Sequence, residues 1–138
     1  MLFDVSSATV KEASIALNCS EGMIAKTLSF FVKNKAILIV IEGSYKIDNS
    51  KYKKEFGCKA KMIDYVNVEA IIGHKAGGVC PFGINDGVRV FLDESLKRFD
   101  IVYPACGSSN SAVELSCEEL EKLSACEAWI DVCKNWEN

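Results

Sequence analysis

Ala36-Ile37-Leu38-Ile39-Val40-Ile41 contains no polar position. A strand with one face in water alternates apolar and polar residues, so this unbroken run predicts a central strand buried on both faces. Such a strand needs cover on each side. The chain has 138 residues, 49% of them hydrophobic and 25% charged, which is enough to build that cover in one domain without disulfides or metal.

The flanking sequence supplies the partners. Upstream, Thr9-Val10-Lys11-Glu12 has the form of a capping box and predicts a helix over about 9–18. Ser20 to Met23 reads as a helical turn, and Ile24 to Val32, rich in aromatic and β-branched residues, reads as a strand with Lys26 near its start. A turn at Asn34-Lys35 then leads into the apolar run. Downstream, Asp48 is placed to cap a lysine-rich helix ending near Gly57, an extended piece is expected at 59–63, and Asn67 is placed to cap a helix over 68–72. Val88 to Leu92 and Ile101 to Tyr103 read as strands, with a helical turn over 93–98 between them. Ala112 to Leu115 reads as another strand, Ser116-Cys117-Glu118-Glu119 as a second capping box, and Ala128 to Val132 as a closing strand. Short strands and helices without a strict βαβ repeat predict a mixed α/β (α+β) fold. The expectation is one compact domain over 1–138, built on a central mixed β-sheet or partly closed barrel flanked by helices.

Seven cysteines form neither a CxxC pair nor a zinc-spaced cluster with the single histidine, so reduced, mostly buried thiols are expected and no metal site. The amino end has no basic segment and no long apolar run, which predicts a cytoplasmic protein with no membrane association. A net charge of −3 argues against holding nucleic acid by bulk electrostatics. The charge is uneven, however. Between Tyr45 and Lys61 six lysines face Asp48 and Glu55, a local +4; this is either a solvated helix face or a patch that tracks phosphates.

Three places carry residues suited to chemistry. The loop Gly73-His74-Lys75-Ala76-Gly77-Gly78-Val79-Cys80-Pro81-Phe82-Gly83 joins four glycines and a proline to a His, a Lys and a Cys, and is a candidate substrate wall. Cys80 with His74 is a conceivable nucleophile pair, although no rule of sequence brings the two together; the alternative is a packed thiol and a loop histidine. Lys26 is either a side chain snorkelling from a strand edge or a functional cation. Gly107-Ser108-Ser109-Asn110 is either a hairpin connection or an anion-binding nest.

Ile24-Ala25-Lys26-Thr27-Leu28, the apolar strand, Gly77 to Gly83, and Gly107 to Leu115 come in the order and spacing of a known family. The chain resembles the YbaK family of aminoacyl-tRNA deacylases, which includes the editing domain inserted in bacterial prolyl-tRNA synthetases, from about Ser6 to Ile130. The resemblance implies hydrolysis of the ester that joins a wrong amino acid to the tRNA 3′ end, with Ala- or Cys-tRNA(Pro) the expected substrate. It implies a tRNA acceptor end as partner, a prolyl-tRNA synthetase as a further partner, action in trans, and no cofactor.

By motif, Lys26 resembles the family lysine that holds the terminal adenosine and its phosphate. Gly77 and Pro81 resemble the ends of the family's G-x-x-x-P loop, placing Gly78, Val79 and Cys80 at the substrate; His74, in the same glycine-rich loop, is expected beside them. Gly107 and Ser108, with Ser109 and Asn110 beside them, resemble the turn that holds the ester carbonyl. A ribose hydroxyl or positioned water would then do the work without a side-chain triad. Cys80 stands where many members have Ser or Ala, and the chain begins later than relatives usually do. Two other classes remain as alternatives: a module that binds an aminoacyl-tRNA end or nucleotide without cleaving it, and a Cys80-dependent hydrolase.

Overall fold

In the computed structural model, the described residues are 19–74, 79–104 and 113–135, together with Ile15. The predicted central strand is present as β2 (Lys35–Glu42), in which residues 37–42 are all buried. It pairs antiparallel with β1 (Ile24–Val32) and parallel with β4 (Arg89–Asp93). The other strands are β5 (Ile101–Pro104), β6 (Leu115–Ser116) and β7 (Ala128–Ile130), giving one mixed sheet in the order β6-β5-β1-β2-β4-β7. The sheet curls into a half-barrel, which meets the mixed α/β expectation.

Lys33 and Asn34 join β1 to β2 with φ of 51° and 66°. Both central residues of this two-residue turn are left-handed, as the twist of a tight hairpin requires. Beyond the turn the pleat sorts the side chains. Leu38 and Val40 enter a cluster with Val90, Leu92, Leu96 and Val102 on one face, while Ile37, Ile39 and Ile41 join Phe30, Tyr52 and Phe91 on the other. Helix α1 (Asn49–Phe56) closes the second face through Tyr52; helices α2 (Val68–Ile72) and α3 (Cys117–Ser124) close the first through Ile72 and Leu120.

The capping residues act largely as their types dictate. Asp48 accepts from the Lys51 amide at 3.0 Å, and α1 ends at left-handed Gly57. Ser116 and Glu119 form the reciprocal capping box of α3. Asn67 differs from expectation: it closes a 3₁₀ turn over Tyr65–Asn67 and makes no side-chain cap bond to α2. The extended piece near 59–63 is reduced to a single bridge, Met62 to Phe30.

The closing strand is also shorter than expected, because buried Asp93 accepts the Val132 amide at 2.8 Å and takes it out of the ladder. The chain turns there into β8 (Cys133–Asn135), which pairs with β3 (Tyr45–Ile47) in a two-stranded sheet that no sequence pattern suggested. The strand expected over 112–115 appears as β6, after the Val113 amide bonds to the Pro104 carbonyl at 3.1 Å. The helix expected over 9–18 lies outside the described residues except at Ile15. All six described cysteines are free, but only Cys80 and Cys133 are buried; the other four are half-buried, so burial of the thiols is less general than expected. Among the described residues no helix is long and apolar enough to cross a membrane.

Two outcomes follow from this packing. Leu38→Ala, at a fully buried position of β2, is expected to lower the free energy of unfolding by about 3 kcal/mol in a urea titration. Glu119 titrates below its ordinary value because it accepts hydrogen bonds from Ser116. A depressed carboxylate adds stability above its unfolded pKa and loses it as the pH falls through its folded value. Acidification from about pH 6 to about pH 3 is therefore expected to destabilise the parent more than Glu119→Gln, whose amide keeps the box without titrating, in parallel thermal melts.

Candidate functional site

The glycine-bearing loop begins where α2 stops. Gly73 adopts φ 106°, and its amide bonds to Glu69 at 2.9 Å. Asn85 then clasps the helix end. Its side-chain amide donates to the Ala70 and Ile71 carbonyls, both at 3.1 Å, and its backbone amide donates to Ile72 at 2.8 Å. A Cβ at position 73 would lie 3.0 Å from the Asn85 Oδ1, so Gly73 meets both a conformational and a spatial need. Carbonyls left over at the helix end are thereby satisfied, and the loop 74–84 is closed at its base.

Inside this loop Cys80 and Pro81 are buried, and Val79, Phe82 and Ile84 pack on the cluster that contains Leu38 and Val40. The Cys80 Sγ lies 3.5 Å from His74 Nε2 and 3.6 Å from the Phe82 carbonyl. The fold does unite the two residues that sequence alone could not. However, His74 Nε2 also contacts the Phe82 carbonyl at 2.5 Å, and a carbonyl can only accept. Nε2 therefore carries the proton and donates it, leaving no lone pair on that nitrogen to receive the thiol proton. In this arrangement the histidine is no base for Cys80; the three groups lock the loop.

Lys26 lies on β1 opposite Ile41, and the alternation of β1 puts it on the same face as Leu28 and Phe30, the face covered by α1. The loop of Cys80 packs on the other face. At this end of the sheet two carboxylates are buried. Glu42 is fully buried and accepts from Arg98 and from Ser44, while its own amide donates to the Ser95 hydroxyl at 3.1 Å. Asp93 accepts from Ser95 at 2.9 Å and from Val132.

Burial pushes the Glu42 carboxyl above its usual range, with Arg98 and Lys26 pulling it back. Burial likewise raises the Cys133 thiol, helped by Asp93 and opposed by Lys26. The Lys26 ammonium thus lies close enough to Glu42 and Cys133 to favour the charged form of each. None of Glu42, Asp93, Arg98 and Asn85 stood out in the sequence. The one available signal was a carboxylate directly at the end of each apolar strand, Glu42 after Ile41 and Asp93 after Leu92.

Topology places a third element here. β1 pairs with β5 only through Ile24 and Ala25, opposite Tyr103 and Pro104. Farther along, the segment 61–63 joins the same edge, with the Phe31 amide bonding to Lys61 at 2.8 Å and the Ile63 amide to Ser29 at 3.1 Å. Residues 26–28 occupy the interval between these pairings, and Thr27 Oγ1 is buried there with no partner among the described residues. Pro104, the last described residue before 113, lies beside Ala25, at the end of the sheet where Lys26 stands. Gly77, Gly78, Gly107, Ser108, Ser109 and Asn110 themselves lie outside the described residues. Among the described residues no three His, Cys, Asp or Glu side chains are grouped to hold a metal.

The sequence profile of the aminoacyl-tRNA editing domain matches residues 5–123. The chain belongs to the aminoacyl-tRNA editing domain family. It is 51% identical over 136 residues to YwhH of Bacillus subtilis (strain 168), covering 98% of this chain and 87% of that protein. It is 29% identical over 112 residues to EbsC of Enterococcus faecalis, a protein provisionally named a Cys-tRNA(Pro)/Cys-tRNA(Cys) deacylase, covering 79% of this chain and 68% of EbsC. It is 26% identical over 101 residues to the proline–tRNA ligase of Bacillus cytotoxicus, of which this editing domain spans only 18%. Among solved structures, one provisionally described as a trans-editing enzyme for prolyl tRNA synthetase superposes with a TM-score of 0.87 at 27% identity, covering 98% of this chain and 85% of that one.

The clasp gives a direct check on the loop. Asn85→Asp keeps the shape but loses both side-chain donors and sets a negative charge at the end of α2, where carbonyls already concentrate negative potential. It is expected to cost about 1–2 kcal/mol in urea unfolding, and Asn85→Ala slightly less, with the m-value unchanged in both.

Proposed function

We propose that this chain is a free-standing hydrolase for mischarged aminoacyl-tRNA, acting in trans as a single domain over 1–138, with Ala- or Cys-tRNA(Pro) as its substrate. The observation that carries the reading is the family match over nearly the whole chain, and the fold shared with the trans-editing structure supports it. In this reading Lys26 grips the phosphate of the terminal adenosine. Backbone amides of the turn at Gly107 and Ser108, with Ser109 and Asn110 beside them, hold the ester carbonyl, while Gly77, Gly78, Val79, Cys80, Pro81 and His74 form the wall that limits side-chain size.

Water, positioned by the ribose hydroxyl, attacks the carbonyl carbon; the acyl–oxygen bond breaks, the amino acid leaves as the carboxylic acid, and the proton returns to the ribose oxygen. An aminoacyl ester is already activated, so orientation and donors aimed at the developing oxyanion suffice. A limit on pocket volume is the physical means of removing residues that a synthetase cannot reject on binding alone. A prolyl-tRNA synthetase would hand over the substrate. A module that binds without hydrolysis is the competing reading, and the His74 proton donated to Phe82 disfavours a Cys80 nucleophile.

Incubation with Ala-, Cys-, Ser- and Pro-tRNA(Pro), with Ala-tRNA(Ala) as control, is expected to show loss of a mischarged tRNA(Pro) while Pro-tRNA(Pro) survives. Lys26→Ala, and Lys26→Met to keep the stem's packing, are expected to slow that loss about 100-fold with melting temperatures near the parent's. Cys80→Ser is expected to retain turnover. Stoichiometric capture of the charged tRNA without release of amino acid would instead establish the binding module.

A further inference from the structure

The far end of the β1–β2 hairpin carries a feature that the ester-cleaving site does not use. Phe31, Lys33, Asn34, Cys58, Lys59 and Lys61 line an open cleft of about 320 Å³. A neighbouring cleft of about 400 Å³ shares Lys33 and adds Lys35, Arg89 and Glu55. Arg89 is already neutralised by a two-point bond to Glu127. Lys33, Lys35, Lys59 and Lys61 are exposed, and among the described residues none of the four is in an ion pair. Four uncompensated cations thus converge, with Glu55 the one carboxylate lining either cleft, on a chain whose net charge is −3.

Their placement is fixed by the backbone. The Phe31 amide bonds to the Lys61 carbonyl, holding the 59–61 strip against the hairpin tip. Lys33 is kept at φ 51°, a conformation that Gly or Asn adopts at lower cost, so a long cation is retained at a position where the backbone disfavours it. By contrast Lys51, in the same lysine-rich stretch, is bound to Asp131 and to the Cys133 carbonyl, both at 3.0 Å.

We propose that this hairpin-tip cleft, through Lys33, Lys59 and Lys61 with Lys35 beside them, binds the phosphate backbone of the base-paired acceptor stem of the tRNA. The inference rests on the reading of the chain as acting on aminoacyl-tRNA, and adds a second, remote contact to it. From Lys26 to Val32, the end of β1, the strand runs about 20 Å at about 3.3 Å per residue, and Lys33 follows in the turn. At about 3.4 Å per nucleotide, the rise of a strand in duplex DNA, this distance matches about six nucleotides. With the terminal adenosine at Lys26, the cleft falls beyond the unpaired 3′ end and beside the stem. A paired RNA stem offers phosphates rather than readable base edges, and flexible lysines suit such contacts. The clustered charge gives local affinity that the acidic whole would deny.

The test is affinity, not hydrolysis: uncharged tRNA(Pro) transcript titrated against the full chain by fluorescence anisotropy at several salt concentrations. Lys33→Gln/Lys61→Gln is expected to weaken binding about ten-fold or more near 0.1 M salt and to make the log–log salt slope shallower by about two, one per lost contact. The charge-matched Lys97→Gln/Lys122→Gln is expected to bind as the parent does. A CCA trinucleotide is expected to bind both variants equally. Unchanged affinity and slope in the first variant, or an equal loss in the second, would overturn the proposal. Ester hydrolysis with an unaffected first variant refutes this cleft alone, whereas tRNA binding that depends on the cleft without any hydrolysis refutes the deacylase reading and leaves the cleft standing.

Discussion

From Ile37 to Glu42, strand β2 has no solvent on either side, and that condition organises the rest of the chain. Leu38 and Val40 need one layer of cover, and Ile37, Ile39 and Ile41 need another. A strand so buried must also have both edges hydrogen-bonded, which β1 and β4 provide. Because β4 lies parallel to β2, the chain between them has to cross over a face, and the segment that does so carries α1, α2 and the clasped loop. Candidate chemistry therefore collects at the ends of the three central strands, where the apolar layers stop and the carboxylates of Glu42 and Asp93 begin.

Those two buried acids show how the end of a sheet is finished. Each is answered by donors from a neighbouring turn: Arg98 and Ser44 for Glu42, Ser95 and Val132 for Asp93. Ser95 serves both, accepting from the Glu42 amide while donating its own amide to Asp93. Removing one partner from so tight an arrangement leaves an unsatisfied buried group, so its members act as a unit. Lys26 stands within reach of these acids, and its charge favours the ionised form of Glu42.

Much of the fold was legible because the signals were local. The apolar run gave β2, the capping box at Ser116 gave α3, and Asp48 with Gly57 bounded α1. Asn67 misled because a 3₁₀ turn uses it before its side chain can cap α2. The pairing of β3 with β8 was invisible because the partners lie far apart in sequence and each is three residues long; only tertiary contact distinguishes them from loops. At the candidate site, Lys26 and Cys80 were named from motif, yet the face of Lys26 follows from strand register and that of the Cys80 loop from its packing on the cluster of Leu38 and Val40. Asn85 escaped notice because an asparagine before Asp86-Gly87 reads as an ordinary turn residue, and its three bonds to the end of α2 exist only after folding.

The strand order also bears on how quickly the chain can reach this state. The β1–β2 hairpin closes through a two-residue turn and can form by itself. Its next partner, β4, pairs Ile39 with Phe91, so more than one third of the chain must be gathered before that edge is satisfied. Closing so long a loop costs entropy before any contact repays it, and folding is correspondingly slow. Until β4 arrives, Ile37, Ile39 and Ile41 lie on an open strand edge of high β propensity. In a newly made chain that edge is the point most exposed to pairing with another molecule.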